Sequence, residues 1–278
     1  MFTFDFRGEK TASSSHSGGD NPADDVSQRI SPAEVCPEID WNGLSTTVLV
    51  NGTKMTVVDS LKIVDHLKIV GTGKMSIVQA ESGHSDLLPG VYEGGMKIWE
   101  STFDLGELLF RKLGESLKGK TILDLGCGSG ILGIIALKQG CASVHFQDYN
   151  RDVIVYFTIP NVQLNGDELL PKSQFWSGDW KSYENVDDSQ FDVIITSETI
   201  YNPQSYQKLH DVIRKKLKPG GSAYLAGKSY YFGVGGSIKG FMDFVVRENV
   251  LQAVSLWSND EGVKREIIVL KHRLEQPS

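Results

Sequence analysis

A chain of 278 residues, 40% hydrophobic and 23% charged, has the make-up of an ordinary soluble globular protein and room for one large domain with extensions. Its net charge of −7 argues against a nucleic-acid binder held by phosphate contacts, which needs a basic face, and is compatible with a basic protein partner. The three cysteines, Cys36, Cys127 and Cys141, have neither paired nor metal-ligand spacing, which fits a reducing compartment.

Residues 1–10 lack an apolar signal core and no run approaches the length of a membrane span, so the chain is expected in the cytosol or nucleus. Arg214-Lys215-Lys216 is too short and too helical to act as an import signal. Residues 1–37 read as a disordered tail. Ser13, Ser14, Ser15, Ser17, Gly18 and Gly19, then Asp24, Asp25, Pro32 and Pro37, leave little to bury, so their deletion should leave the melting temperature nearly unchanged. Residues 38–87 read as a small β-rich extension, with runs at 46–50, 55–58, 67–70 and 74–78 and turns at Asn51-Gly52 and Gly71-Thr72-Gly73. Asn51-Gly52-Thr53 matches a glycosylation sequon, but without a secretory signal it reads as a hairpin turn.

From 88 to 274 the apolar pattern alternates between strand and helix. Helix 99–117 precedes strand 121–125, helix 130–139 and strand 143–148. Helix 151–165, strands 174–177 and 191–197, helix 203–217 and the turn Lys218-Pro219-Gly220-Gly221 follow. Strand 222–226, helix 238–248 and an antiparallel pair, 251–258 with 266–271, complete seven strands. The expected fold is α/β, a doubly wound Rossmann-like sheet preceded by the β extension and the tail.

The stretch from 123 to 134 organises this domain. A buried strand ends in Gly126, Gly128 and Gly130, and a helix follows, which puts backbone N–H groups and bare backbone at the carboxyl edge of the sheet. A dinucleotide fingerprint needs its third glycine one residue later, where Ile131 stands, so a nicotinamide-dependent dehydrogenase is disfavoured. Asp124, just before the first glycine, would repel a pyrophosphate but suits an ammonium or sulfonium. Asp148 ends the next strand, at the distance where an acid grips ribose hydroxyls.

The glycine stretch resembles the first motif of seven-strand, S-adenosylmethionine-dependent methyltransferases. Four further segments, at 90–100, 145–150, 197–203 and 231–236, resemble the eukaryotic protein-histidine methyltransferases of the methyltransferase-like group; with them the similarity spans 88–271. The resemblance implies S-adenosylmethionine as donor and an Nτ-methylated histidine on a large-subunit ribosomal protein as product. The expected partner is a basic ribosomal protein; charge and the lack of a long apolar run leave no direct nucleic-acid contact and no membrane to expect, and the chain is expected to be a monomer. A lysine methyltransferase, or a ribosomal-protein assembly factor that retains the fold, are the rivals.

Site residues follow from the same resemblance. Trp99 and Glu100 begin the helix before the first strand, where an indole would face the cofactor and a carboxylate would pair with its amino group; a core tryptophan is the alternative. Asn150 and Ser197, at strand ends, join the cofactor set, and Asp179 and Trp180 follow the third strand, where this superfamily holds adenine. Glu198, Tyr201 and Asn202 follow the fourth strand and are the catalytic candidates. Tyr231, Phe232, Gly233 and Gly235 form a substrate-side loop. Asn161 and Asn165 read as a structural helix face. None of the six histidines has ligand spacing, so no metal is expected; His66, His210 and His272 read as surface residues and His84 as a loop residue near the mouth of the site.

A neutral imidazole, with pKa about 6.5, is already nucleophilic at pH 7, whereas a lysine, near about 10.4, must first lose a proton. A site for histidine therefore needs an acceptor for the other ring N–H. Glu198, Asn202 or a carbonyl of the Gly233 loop are open for that role.

Overall fold

The computed structural model describes residues 26–35, 38–70, 76–82, 87–88 and 90–273. Its strands are β1 (Gln28–Ile30), β2 (Ser45–Val50), β3 (Thr53–Val58), β4 (Thr121–Leu125), β5 (Ser143–Asp148), β6 (Ser173–Ser177), β7 (Phe191–Ser197), β8 (Leu217–Lys228), β9 (Leu251–Ser258) and β10 (Arg265–His272). The principal helices are α1 (Ser60–Ile69), α2 (Ser76–Ser82), α3 (100–117), α4 (Ile131–Lys138), α5 (151–164), α6 (Trp180–Tyr183), α7 (Tyr206–Lys216) and α8 (Ile238–Glu248). Both α3 and α5 contain a π-helical turn, at Leu109–Leu113 and Ile154–Thr158.

One sheet of eight strands runs in the order β1-β6-β5-β4-β7-β8-β10-β9. Strands β6, β5, β4, β7 and β8 are parallel, while β1, β10 and β9 are antiparallel to their neighbours. Neighbouring residues of β4 feed opposite faces, as a period of two demands. Ile122 belongs to the buried cluster that holds Ile135, Val144 and Phe146, and Leu123 to the one that holds Ile194, Leu209 and Phe241. Helices therefore cover both faces, and the near-continuous apolar runs of the parallel strands follow from that burial. The turn at Lys218-Pro219-Gly220-Gly221 survives inside β8: Phe191 pairs with Leu217 and Val193 with Ser222, so four residues loop out opposite Asp192.

The sheet has one strand more than expected, and it comes from the stretch read as a tail. Residues β1 pair with β6, Ile30 and Val35 are buried, and Glu34 closes a capping box with Ser31 and pairs with Arg151. A deletion through residue 37 strips this buried apolar cover and is expected to lower the melting temperature. Residues 1–25 lie outside the described residues, as do Cys36, Gly71-Thr72-Gly73 and His84.

The extension is half helical. β2 and β3 form the expected hairpin, with Asn51 and Gly52 at φ 48° and 75°, as a two-residue turn of the primed kind requires. Residues 67–70 and 76–78, expected as strands, instead belong to or adjoin α1 and α2. Asp59 caps α1 by accepting from the N–H groups of Leu61 and Lys62, and Ile63, Val64 and Leu67 fill one helical face. β-branched residues suit either element, so a short apolar run alone does not decide. The hairpin is clamped to α5 by two asparagines. Asn161 accepts from Val58 N–H at 2.6 Å, and Asn165 accepts from Thr56 N–H at 3.2 Å and donates to its carbonyl at 2.6 Å.

Candidate active site

The chain leaves β4 toward β5 on one side, while β7 lies on the other, so the order in which strands are added reverses between β4 and β7 although the two strands are parallel. Ligands of open α/β sheets bind outside the carboxyl ends of the strands at such a point. A cavity of about 480 Å³ opens there, within the range of small-molecule sites. The glycine turn, the segment 90–99, Gly178 to Trp180 and Ser197 to Asn202 line it.

The glycine turn is held from several directions. Gly128 has φ 50°, and a Cβ there would come within 2.9 Å of the Gly95 carbonyl oxygen, so both the turn and the facing segment demand glycine. Asp148 accepts from Gly128 N–H at 2.8 Å and Asn150 N–H at 3.1 Å. Asp124 accepts from Gly133 N–H at 2.9 Å in the first turn of α4. Thr158 donates to the Gly128 carbonyl at 2.7 Å, and Asn161, besides clamping the hairpin, donates to the Ser129 carbonyl at 2.9 Å. Burial pushes Asp124 up to about 8, with the negative field of Asp148 adding to the effect, and pushes Asp148 up to about 6, with the negative field of Glu93 adding to it. A cationic ligand in this cavity would favour their ionised forms.

Farther along the cavity Asp179 caps α6 by accepting from Lys181 N–H at 2.8 Å and pairs with Lys208 at 2.7 Å. Trp180 donates its indole N–H to Gln147 at 3.0 Å. Trp99 donates to the Gly94 carbonyl at 3.2 Å, and the ammonium groups of Lys97 and Lys228 stand 4.7 Å and 5.4 Å from its ring.

On the side of β7, Glu198 adopts φ 61°, a conformation rare for a residue with a side chain. Its carboxylate is buried, accepting from Ser101 at 2.5 Å and from the Tyr231 hydroxyl at 2.6 Å. That hydroxyl also accepts from Lys228 N–H at 3.1 Å. Tyr201 donates to the Glu93 carboxylate. Burial pushes the Tyr201 and Tyr231 hydroxyls far above the usual tyrosine range, with the neighbouring carboxylates adding to it, and pushes Glu198 up as well. The two hydroxyls therefore serve as donors and not as bases.

A protein-family model described as lysine methyltransferase matches residues 90–231. The chain belongs to this methyltransferase family. It is 43% identical over 224 residues to the histidine protein methyltransferase 1 homolog of Bos taurus, a match that covers 70% of this chain and 60% of the relative. The Dictyostelium discoideum homolog is 40% identical, with 68% of this chain and 62% of the relative covered. Histidine protein methyltransferase 1 of Schizosaccharomyces pombe is 30% identical over 258 residues, covering 76% of this chain and 71% of the relative. The chain thus spans about 60% of the length of its bovine relative. In three dimensions a Streptococcus mutans protein described as a SAM-dependent methyltransferase gives a TM-score of 0.55 at 12% identity, over 82% of this chain and 55% of that one. A 16S rRNA methyltransferase from T. thermophilus gives 0.51 at 17% identity, over 82% and 50%. At such identities the likeness is one of fold.

Most of the residues expected in the site reach the cavity: Trp99, Asp124, Gly126, Gly128, Asp148, Asp179, Trp180, Ser197, Glu198, Tyr201 and Asn202 all line it. Tyr231 lines a narrow side branch together with Glu93, Trp99, Glu198 and Tyr201. Six expected residues line neither space. Gly130 opens α4 at φ 72°, against Thr158 and Phe146. Asn150 is buried and holds the facing segment, donating to the Val91 carbonyl at 2.7 Å and accepting from Glu93 N–H at 3.0 Å. Glu100 acts electrostatically on Arg265, which pairs with Asp104. Phe232 is 79% exposed, and Gly233 and Gly235 are also exposed. That loop is pinned from behind, Gly236 N–H donating to the Tyr201 carbonyl at 2.9 Å, where a Cβ on Gly236 would strike Ile200 and Tyr201. Only Tyr231 turns inward.

The histidine expectations also change: His210 is buried in α7 beside Asp211 and Phe244, and His272 is half-buried with Nε2 3.0 Å from the Leu217 carbonyl. Glu93 and Lys208 were not expected in the site. Glu93 sits within a segment that carried the family resemblance, but its spacing marks no chemistry, and Lys208 follows an amphipathic helical pattern shared by many surface lysines.

Proposed function

We propose that the chain transfers a methyl group from S-adenosylmethionine to a ring nitrogen of a protein histidine, the acceptor being a basic protein of the large ribosomal subunit. The observation that carries this reading is the 43% identity, across 70% of the chain, to a relative that bears the name histidine protein methyltransferase 1 homolog. The net charge of −7 suits a basic acceptor protein.

The residues present fit the cofactor. Asp148 offers a carboxylate for ribose hydroxyls, the Gly126 to Gly128 backbone offers an unobstructed wall, and Asp179 with Trp180 offers an acid and an apolar face for adenine. The strongest sign of fit is electrostatic: Asp124 and Asp148 are held above the usual carboxylate range by burial, and a positively charged ligand compensates them. When bound, S-adenosylmethionine supplies a methyl group already activated by its sulfonium. The chain's own work is alignment and proton control. A histidine of ordinary pKa, about 6.5, is mostly neutral at pH 7, so no strong base is needed. Tyr201 and Tyr231 stay protonated, and Glu198 is committed to Ser101 and Tyr231, which keeps the end of β7 in its left-handed turn.

Incubating the protein with isotopically labelled cofactor and purified large-subunit ribosomal proteins, followed by peptide mass spectrometry, tests the proposal. One methyl group on a histidine is expected. Label on lysine alone would replace the histidine reading with a lysine one, and label on histidine of an unrelated protein alone would remove the ribosomal acceptor.

A further inference from the structure

We propose that Glu93 accepts the hydrogen bond of the non-reacting ring N–H of the target histidine, and thereby decides which ring nitrogen is methylated. This rests on the histidine reading above.

Five carboxylates line the main cavity: Glu93, Asp124, Asp148, Asp179 and Glu198. Four are committed elsewhere. Asp124 is buried against the first turn of α4, accepting from Gly133 N–H at 2.9 Å. Asp148 is buried on the glycine turn, where it takes the N–H groups of Gly128 and Asn150. Asp179 stands at the far end, pairing with Lys208 at 2.7 Å. Glu198 is 8% exposed, and both its oxygens are drawn back toward Ser101 and Tyr231.

Glu93 differs from Asp124, Asp148 and Glu198 in burial, and from Asp179 in lying beside the end of β7, where it meets Tyr201. It is only partly buried, and it forms part of the wall shared by the main cavity and the narrow branch. Its position is set from three sides: one oxygen accepts from Gly90 N–H at 2.8 Å, the other from the Tyr201 hydroxyl, and its own N–H donates to Asn150 at 3.0 Å. A carboxylate offers about four lone-pair directions, so each oxygen retains capacity for one further donor. Burial and the field of Glu93 keep Tyr201 protonated, so Tyr201 remains a donor and Glu93 an acceptor. The result is a pre-oriented, solvent-reachable acceptor beside the end of β7.

The chemistry balances with that acceptor in place. The lone pair of the attacking ring nitrogen forms the new N–C bond while the C–S bond breaks and its electron pair stays on sulfur. The ring thereby gains a positive charge, which the Glu93 carboxylate stabilises through the other N–H. That proton then leaves through Glu93 to solvent, giving the neutral methylhistidine. A ring held by one nitrogen presents only the other to the donor, so regiochemistry follows from the hydrogen bond.

Glu93→Gln tests the assignment, because an amide oxygen can still accept from Gly90 or Tyr201. Measured on the full chain are the melting temperature, the calorimetric affinity for cofactor and for a histidine-containing acceptor peptide, kcat/KM, and the ratio of the two methylhistidine isomers in the product. The expected result is an unchanged cofactor affinity, weaker peptide binding, kcat/KM lower by about 10- to 150-fold, and a second isomer in the product. Glu93→Asp keeps the charge one methylene farther back and is expected to lose rate while retaining one isomer; it also serves if the glutamine variant does not fold. A wild-type rate and a single isomer in Glu93→Gln would overturn the assignment. Absence of histidine methylation by the wild-type protein would overturn the histidine reading itself, and this assignment with it.

Discussion

On the side assigned to the cofactor, Asp124, Gly126 and Gly128 lie within five residues, and Asp148 stands at the end of the neighbouring parallel strand. On the side assigned to the acceptor, Glu93, Ser101, Glu198, Tyr201 and Tyr231 come from three separate stretches, and their functional groups meet through side-chain hydrogen bonds. The first half is shaped by backbone: positive φ at the glycines and N–H groups gathered by carboxylates. The second is shaped by a buried polar network, whose members are costly to leave unpaired. Substitutions should therefore separate: acceptor-side changes act on stability and turnover, cofactor-side changes on cofactor affinity.

The largest effect is expected for Tyr231→Phe. It leaves the Lys228 N–H and one Glu198 oxygen without their shared partner, which should cost about 2–4 kcal/mol in chemical denaturation. Cofactor affinity, measured by calorimetry on the folded variant, should stay at the wild-type value. A parallel loss of cofactor affinity would show that the two halves are one cooperative unit.

Next comes Asp148→Ala, for which cofactor binding should weaken by about 1.5–3 kcal/mol, the scale for losing a charged partner of hydroxyls. Calorimetry on folded variant protein measures it. Unchanged affinity would remove Asp148 from the ribose role and leave it as a brace for the Gly128 turn.

A gentler test uses pH. Asp124 and Asp148 titrate near 3.8 in the unfolded chain and near about 8 and about 6 in the folded one. The folded state thus holds protons that the unfolded chain has already released. The stability these groups contribute is complete below about pH 4 and is lost as pH rises, through about 6 for Asp148 and about 8 for Asp124. Each group adds a slope of at most about 1.4 kcal/mol per pH unit. Between pH 6 and 8 the ligand-free wild type should lose stability relative to Asp124→Asn, and cofactor should reduce that difference. Parallel curves for the two proteins would mean that Asp124 is already ionised and that the cavity does not select for positive charge.

By itself the amino-acid sequence determined what depends on neighbours in the chain. The glycine turn, Asp124, the alternation of strands and helices, the Asn51-Gly52 hairpin and the α8 span of 238–248 all follow from local conformational limits and short-period patterning. Asp148 was within reach because the next parallel strand places it at a regular distance. Other features were decided only by tertiary packing. β1 becomes a strand because β6 offers an open edge and the core accepts Ile30 and Val35. The runs after residue 60 become helices because Ile63 and Leu67 of α1 and Ile77 and Val78 of α2 join one buried cluster with Val153 and Phe157 of α5. Gly130 and Asn150 serve the scaffold and Glu93 the cavity for the same reason: a side chain's direction and partners depend on segments far away in the chain. Propensity and spacing fix a backbone's local options, but which polar group meets which across the fold is set by packing geometry, and the acceptor half of this cavity is made of such meetings.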